Sequence, residues 1–273
     1  MPEQLSPLEA PKWALDRFLQ LTPAADGWTA DVPPSWAPTG AAHGGVLFAI
    51  AITAMRRVSP HPDVLTATAH FLRPTAPGPA QVTAELVRGG GAHATVQATI
   101  VQDGKETLRV LAVFGVLPDD PPRSELVPPT LPPPEECAPA LGSELQAGAD
   151  ATDYGSSLDV RVDPTVGWLN GRRAGNAEIT GWCRTSDERP HDDASLALFA
   201  DAFPPPVFDV LPAFYVPTLE LTLHVRGRAT TPWLLGRFTT RAINEPYHEE
   251  DGLLWDGAGN LVAMSRQFAL TRT

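Results

Sequence analysis

The sequence predicts an α+β fold made by duplication, in which each half wraps one apolar helix in an antiparallel sheet. Three observations predict it. Two apolar stretches of helical length, 44–58 and 193–203, are each followed by a run of β-patterned segments. Both helices are apolar nearly all round, so each must lie inside something, and a strongly curved sheet is the obvious container. Between the halves, 118–150 holds nine prolines in its first 22 residues. Neither a helix interior nor a central strand tolerates that density, so the segment reads as an extended, semi-rigid connection.

Taken in order, 13–21 and 27–32 read as short strand pieces. The helix 44–58 follows and is closed by Ser59-Pro60. Strands are then expected at 65–73, 80–88, 93–102 and 106–117, with Gly89-Gly90-Gly91 and Asp103-Gly104 where hairpin turns are wanted. The second half repeats the plan. Strands at 158–162 and 177–185 precede a helix at 193–203, which Pro204-Pro205-Pro206 stops. Strands at 218–226, 233–243, 252–255 and 261–271 complete it, with Gly257 and Gly259 at a turn. The expected divisions are 1–117, a Pro-rich acidic linker at 118–150, and 151–273 carrying the site.

Composition narrows the function. The net charge of −12 argues against nucleic acid as a partner. Half of it lies in the linker, where seven acids face Arg123 alone. The rest is only mildly acidic, so an anionic ligand is admitted where arginines gather. The longest apolar run, 46–55, is too short to span a bilayer, so no membrane partner is expected. The first 14 residues are polar and Pro-broken and read as no secretion signal. Cys137 and Cys183 make no disulfide framework, which suits a reducing cytoplasm. The seven histidines form no HxxxH or HExxH pair, so no metal is expected. Neither a GxSxG elbow nor a GxxxxGK loop occurs.

One acid stands out: Asp201, inside Ala194-Ser195-Leu196-Ala197-Leu198-Phe199-Ala200-Asp201-Ala202-Phe203. A carboxylate there must stay hydrated, find donors or shift its pKa. Nine residues beyond His43 stands Ile52; nine beyond Asp192 stands Asp201. Only the second half carries the acid. An acid in a last helical turn works against the helix dipole, which argues against a simple cap. Gly44 and Gly45 permit a tight entry to the first helix, or present free N–H groups to a developing oxyanion. His43 before them reads as structural, with no partner acid evident in the sequence.

Three stretches carry a resemblance: 43–49 (HGGVLFA), 217–226 (PTLELTLHVR) and 259–267 (GNLVAMSRQ). In this order around a duplicated plan, the chain resembles the double-hotdog acyl-CoA thioesterases, the bacterial thioesterase II group. The resemblance implies an Asp–Thr–Gln set around a water, which falls here on Asp201, Thr218 and Gln267. Thr218 opens an alternation in which Thr218, Glu220, Thr222 and His224 share one face, so Thr222 competes with it. Gln267 lies opposite Met264, Phe268 and Leu270; a solvated strand face would need no function, but its amide could hold a water or a carbonyl.

The activity implied is hydrolysis of an acyl-CoA thioester in cytoplasmic fatty acid metabolism, with Asp201 as general base or nucleophile and no cofactor. Arg73, Arg226 and Arg228 are candidates for the CoA phosphates, against a default surface role. The fused pair supplies the dimer that single hotdogs form, and further homo-oligomerisation stays open. Two alternatives remain. A hotdog enoyl-thioester hydratase needs an Asp with a nearby His, and no Asp-x-x-x-x-His follows either helix. A non-catalytic acyl-CoA or lipid-binding module would have no use for Asp201.

Overall fold

Two buried helices, one per half, lie side by side on the concave face of a single sheet. The computed structural model describes residues 11–37, 40–140, 157–167, 172–212 and 215–272. The first helix, α2 (Gly44–Val58), has the bounds its sequence predicts and is buried over most of its surface. It follows a short helix, α1 (Ala14–Phe18), and the strands β1 (Thr22–Ala24) and β2 (Gly27–Val32). Four strands come after it: β3 (Asp63–Phe71), β4 (Gly78–Arg88), β5 (Ala94–Gln102) and β6 (Lys105–Gly115). The second half holds β7 (Ala138–Pro139), β8 (Leu158–Val162), β9 (Glu178–Thr185) and the helix α3 (Asp193–Phe199). Its remaining strands are β10 (Thr218–Val225), β11 (Leu234–Thr239), β12 (Ile243–Asn244), β13 (Tyr247–Asp256) and β14 (Leu261–Leu270).

The strand order is the clearest mark of duplication. Pairing runs β1-β2-β4-β5-β6-β3-β10-β14-β13-β11-β9-β8-β7, with β12 on β13. The core of each half follows the same path, β2-β4-β5-β6-β3 and β9-β11-β13-β14-β10, and the two meet where β3 pairs antiparallel with β10. One curved antiparallel sheet with a helix per half is an α+β double hotdog. Ala67 and Ala69 of β3 stand opposite Leu223 and Leu221 of β10 on the inner face of this seam. On the outer face the Thr68 and Thr222 hydroxyls bond at 2.9 Å.

The helices begin in different ways. At α3, Asp192 accepts the Ser195 N–H at 3.0 Å and Ser195 Oγ accepts the Asp192 N–H at 2.8 Å, a self-contained capping box. At α2 the N-cap is His43, which makes no such side-chain bond.

Several expectations need correction. The segment 13–21 holds α1 rather than a strand: Ala-Leu-Asp-Arg-Phe are adequate helix formers, and Leu15 and Leu19, four apart, bury one face. The second helix ends at Phe199, not at 203, so Asp201 lies beyond it. Its N–H bonds the Leu198 carbonyl at 3.2 Å, a tightened final turn ahead of three prolines. The expected strand at 233–243 is broken after Thr239, with β12 a separate piece. The strand expected at 252–255 begins five residues earlier, at Tyr247.

The described part of the Pro-rich stretch, 118–140, packs across the outer face of the second half. Trp182 Nε1 donates to the Pro132 carbonyl at 2.9 Å, and Leu131 covers Leu235, Trp255 and Leu261. Residues 141–150 of the expected linker fall outside the described residues.

Candidate active site

Asp201 is held from behind by its own chain. Phe203, two residues on, lays its ring over Gly181 and Gly236, where a Cβ would come within 2.9 Å and 2.8 Å of it. The same ring packs on Phe238 at 4.7 Å between centroids. The turn 201–203 is thereby pinned over the sheet, and the Asp201 side chain projects toward the start of α2.

There the Gly45 N–H donates to Asp201 Oδ2 at 2.7 Å, and His43 Nε2 lies 3.7 Å from the same oxygen. Asp201 thus caps the helix of the other half. The dipole argument from the sequence reverses: the carboxylate sits at a helix N-terminus, where negative charge is favoured. Two glycines make the approach feasible. A Cβ on Gly45 would fall 2.7 Å from the Leu198 carbonyl oxygen, and one on Gly44 would fall 2.8 Å from Asp201 Oδ2. Gly45 therefore spends its N–H on Asp201, and of the two expected oxyanion donors only Gly44 is left.

The carboxyl is nearly enclosed, at 12% exposure. Burial raises its pKa above the ordinary carboxylate range, against the opposing pull of His43, the Gly45 N–H and the Thr218 hydroxyl. His43 was expected to be structural for want of a partner acid; that acid is Asp201, 158 residues away in sequence and invisible to any local motif.

Thr218 and Gln267 reach the site from beneath. The strict alternation expected for β10 fails at its first step, because the pairing with β14 shifts between Thr218 and Glu220. Thr218 stands opposite Ala269, on the inner face, whereas Thr222 stands opposite Arg266, on the outer one. The bulge re-aims Thr218 and removes Thr222 as a competitor, since Thr222 is engaged with Thr68 and Glu220. For Gln267 a solvated face was the bland alternative to a place in the site. It is only 5% exposed and points inward in step with Ala269 and Ala263, while Phe268 is the outward residue.

Asp201, Thr218 and Gln267 line one cleft of ≈ 590 Å³, together with His43, Gly44, Phe71 and Tyr215. Arg73 and Arg272 stand in its wall. Of the other arginines considered, Arg228 is paired with Asp63 at 2.8 Å and Arg226 does not line the cleft. A larger hollow of ≈ 700 Å³ beside α1, lined by Lys12, Arg17 and Asp187 among others, shares none of these groups. Among the described residues no cluster of three or more His, Cys, Asp or Glu forms a metal-ligand set, and no helix is long and apolar enough to cross a membrane.

Sequence reasoning missed one group. Glu250, on β13, lines the same cleft and pairs directly across the ladder with Gln267. No local signal marks it, because 247–251 has no apolar alternation; only the pairing with β14 puts Glu250 in step with the buried Gly252 and Leu254.

The fold is a double hotdog, and its cleft encloses one carboxylate at the seam between the halves. The chain belongs to the acyl-CoA thioesterase family: the family's N-terminal domain profile matches residues 32–115 and its C-terminal domain profile matches 134–271. It is a thioesterase enzyme. Among solved structures it is similar to a Thermobifida fusca protein provisionally described as thioesterase II, at 26% identity and TM-score 0.85, covering 96% of this chain and 99% of that one. An acyl-CoA thioesterase II of Mycobacterium marinum shares the fold at 23% identity and TM-score 0.71, over 95% and 98% of the two chains. An uncharacterised protein of Mycobacterium tuberculosis is 24% identical over 91% of this chain and 92% of its own length.

Proposed function

We propose that the chain hydrolyses acyl-CoA thioesters at one site per molecule, with Asp201 as general base and Thr218 and Gln267 orienting the attacking water. The observation that carries this is the meeting of the three side chains in one cleft at the seam. Asp201 takes a proton from the water as its oxygen bonds the carbonyl carbon. The tetrahedral intermediate collapses, the C–S bond breaks, and Asp201 returns the proton to the departing sulfur. The products are a carboxylic acid and free CoA. A base with a raised pKa suits this cycle, since it must both accept and release a proton near neutrality. The acyl chain lies along the apolar wall of Leu47, Phe71 and Phe208, and Arg73 and Arg272 are the cations within reach of the CoA phosphates. Residues 151–273 own the chemistry on this reading, residues 1–117 lend the entry of α2, and the setting is cytoplasmic fatty acid metabolism.

The test is Asp201→Asn, purified folded and offered a panel of acyl-CoAs with thiol release measured. Wild-type rates in that variant would sink the mechanism. One observation favours a second reading: the 3.7 Å approach of His43 to Asp201 is the acid–base pair a hydratase requires. Enoyl-CoA losing its conjugated absorbance without thiol release would establish that activity instead.

A further inference from the structure

We infer that Glu250 is a further catalytic residue, a neutral carboxylic acid that donates a hydrogen bond to the oxyanion formed at the thioester carbonyl. This rests on the reading that Asp201 drives hydrolysis. Hydrolysis through a tetrahedral intermediate needs donors aimed at the developing charge, and the Gly45 N–H is already committed to Asp201. The Gly44 N–H is the one expected donor left, and Glu250 supplies a second. It is 6% exposed, lines the cleft with Asp201 and Gln267, and its Oε2 has no hydrogen-bond partner among the described residues.

The surroundings decide its charge. Asp201 from the turn after α3 and Asp251 on its own strand are the carboxylates that act on it. Gln267, its partner across the ladder, is neutral. His248, two residues back on the same face, is bound to Thr271 Oγ1 at 2.8 Å. The basic groups of the cleft are His43, Arg73 and Arg272; His43 lies against Asp201, Arg73 donates to the Glu106 carbonyl and Arg272 lies over the Tyr215 ring. Burial, then Asp201, then Asp251 push the Glu250 carboxyl well above its ordinary range. An ionised Glu250 would be a second buried anion beside the base, without a partner of its own. Protonated, it becomes the one carboxyl of the site able to donate. A carboxylic acid held neutral by its surroundings is a recognised way to build an oxyanion donor. Glu250 keeps its proton through the cycle, so the balance of the hydrolytic step is unchanged.

The experiment uses decanoyl-CoA with thiol release as readout. Glu250→Leu removes the donor yet keeps the site filled. It should lose ~10²-fold in kcat with KM within about threefold, as expected for one oxyanion donor, while the melting temperature holds or rises. Glu250→Gln keeps a neutral donor and should stay within about tenfold of wild type. It should also lose the fall in kcat at alkaline pH that Glu250 ionisation causes in the wild-type enzyme. A folded Leu variant with wild-type kcat overturns the inference. Should the Leu variant fail to fold, an alkaline limb unchanged in the Gln variant overturns it equally. Asp201→Asn runs alongside: if it is inactive while Glu250→Leu is active, only the role of Glu250 falls. If Asp201→Asn is fully active, the hydrolytic reading falls and Glu250 with it.

Discussion

Asp193→Asn should stabilise the protein at neutral pH and leave it almost unchanged near pH 4. Asp193 opens α3, and its Oδ2 accepts the Val64 N–H of β3 at 2.9 Å, tying the second half to the first. Burial lifts its pKa from 3.8 to about 6, with the Val64 N–H and Arg56 pulling down and Asp192 and Asp63 pushing up. The folded chain therefore binds more protons than the unfolded chain between those two values. Stability from this group is full below about pH 4, declines as pH rises toward 6, and stays at its lower level above. A displacement of that size is worth roughly 3 kcal/mol. The Asn carbonyl oxygen can still accept the Val64 N–H, so the variant escapes the penalty and keeps the bond. Urea unfolding at pH 4, 6 and 8 should show the variant gaining up to ~3 kcal/mol at pH 8 and close to nothing at pH 4. A gap between variant and wild type that is the same at pH 4 and pH 8 would refute the reasoning.

Asp201→Asn should cost ~10²–10⁴-fold in kcat, the usual worth of a general base. The wild-type rate should climb with pH through a midpoint above the ordinary carboxylate range, and the residual rate of the variant should not; stopped assays from pH 4 to 8 check both. Thr218→Val should lower kcat by about tenfold, in keeping with loss of one hydrogen bond to a charged group, whereas Thr222→Val should leave it alone. Equal effects at the two positions would contradict the bulge. Gly45→Ala would drive a methyl group to 2.7 Å from the Leu198 carbonyl oxygen. Thermal melts should register a loss of about 1–3 kcal/mol, accompanied by reduced turnover as Asp201 is displaced.

Much of this architecture can be read along the chain. The bounds of α2, β2 and β8 follow from apolar patterning and punctuation, because glycine, proline and alternation act locally. The duplication follows from the repeated order of those elements. What stays hidden is set by contacts between distant segments. The end of α3 at Phe199 and the turn that follows depend on Phe203 finding Gly181 and Gly236. The face of Thr218 depends on one shift in pairing with β14, and a slip of one residue inverts every side chain. Glu250 lies in Tyr247-His248-Glu249-Glu250-Asp251, which has no apolar alternation and reads as loop until β14 is laid beside it. Polar groups at inward positions are what a site puts where a core would be, so local rules fail at the chemistry first.

The bond from Gly45 to Asp201 divides ownership of the site. One half contributes the acid, and the other contributes the amide and imidazole that hold it, at positions 156 and 158 residues upstream. On the proposed mechanism the base lies in one half and the groups that hold it in the other, so a chain cut within the connection would yield two pieces that restore the contacts of Asp201 only by docking along β3 and β10. Ile52, at the matching offset in the first half, is fully buried in the core. What a symmetric pair of units would carry twice, this chain keeps once, and the spare position is released to packing.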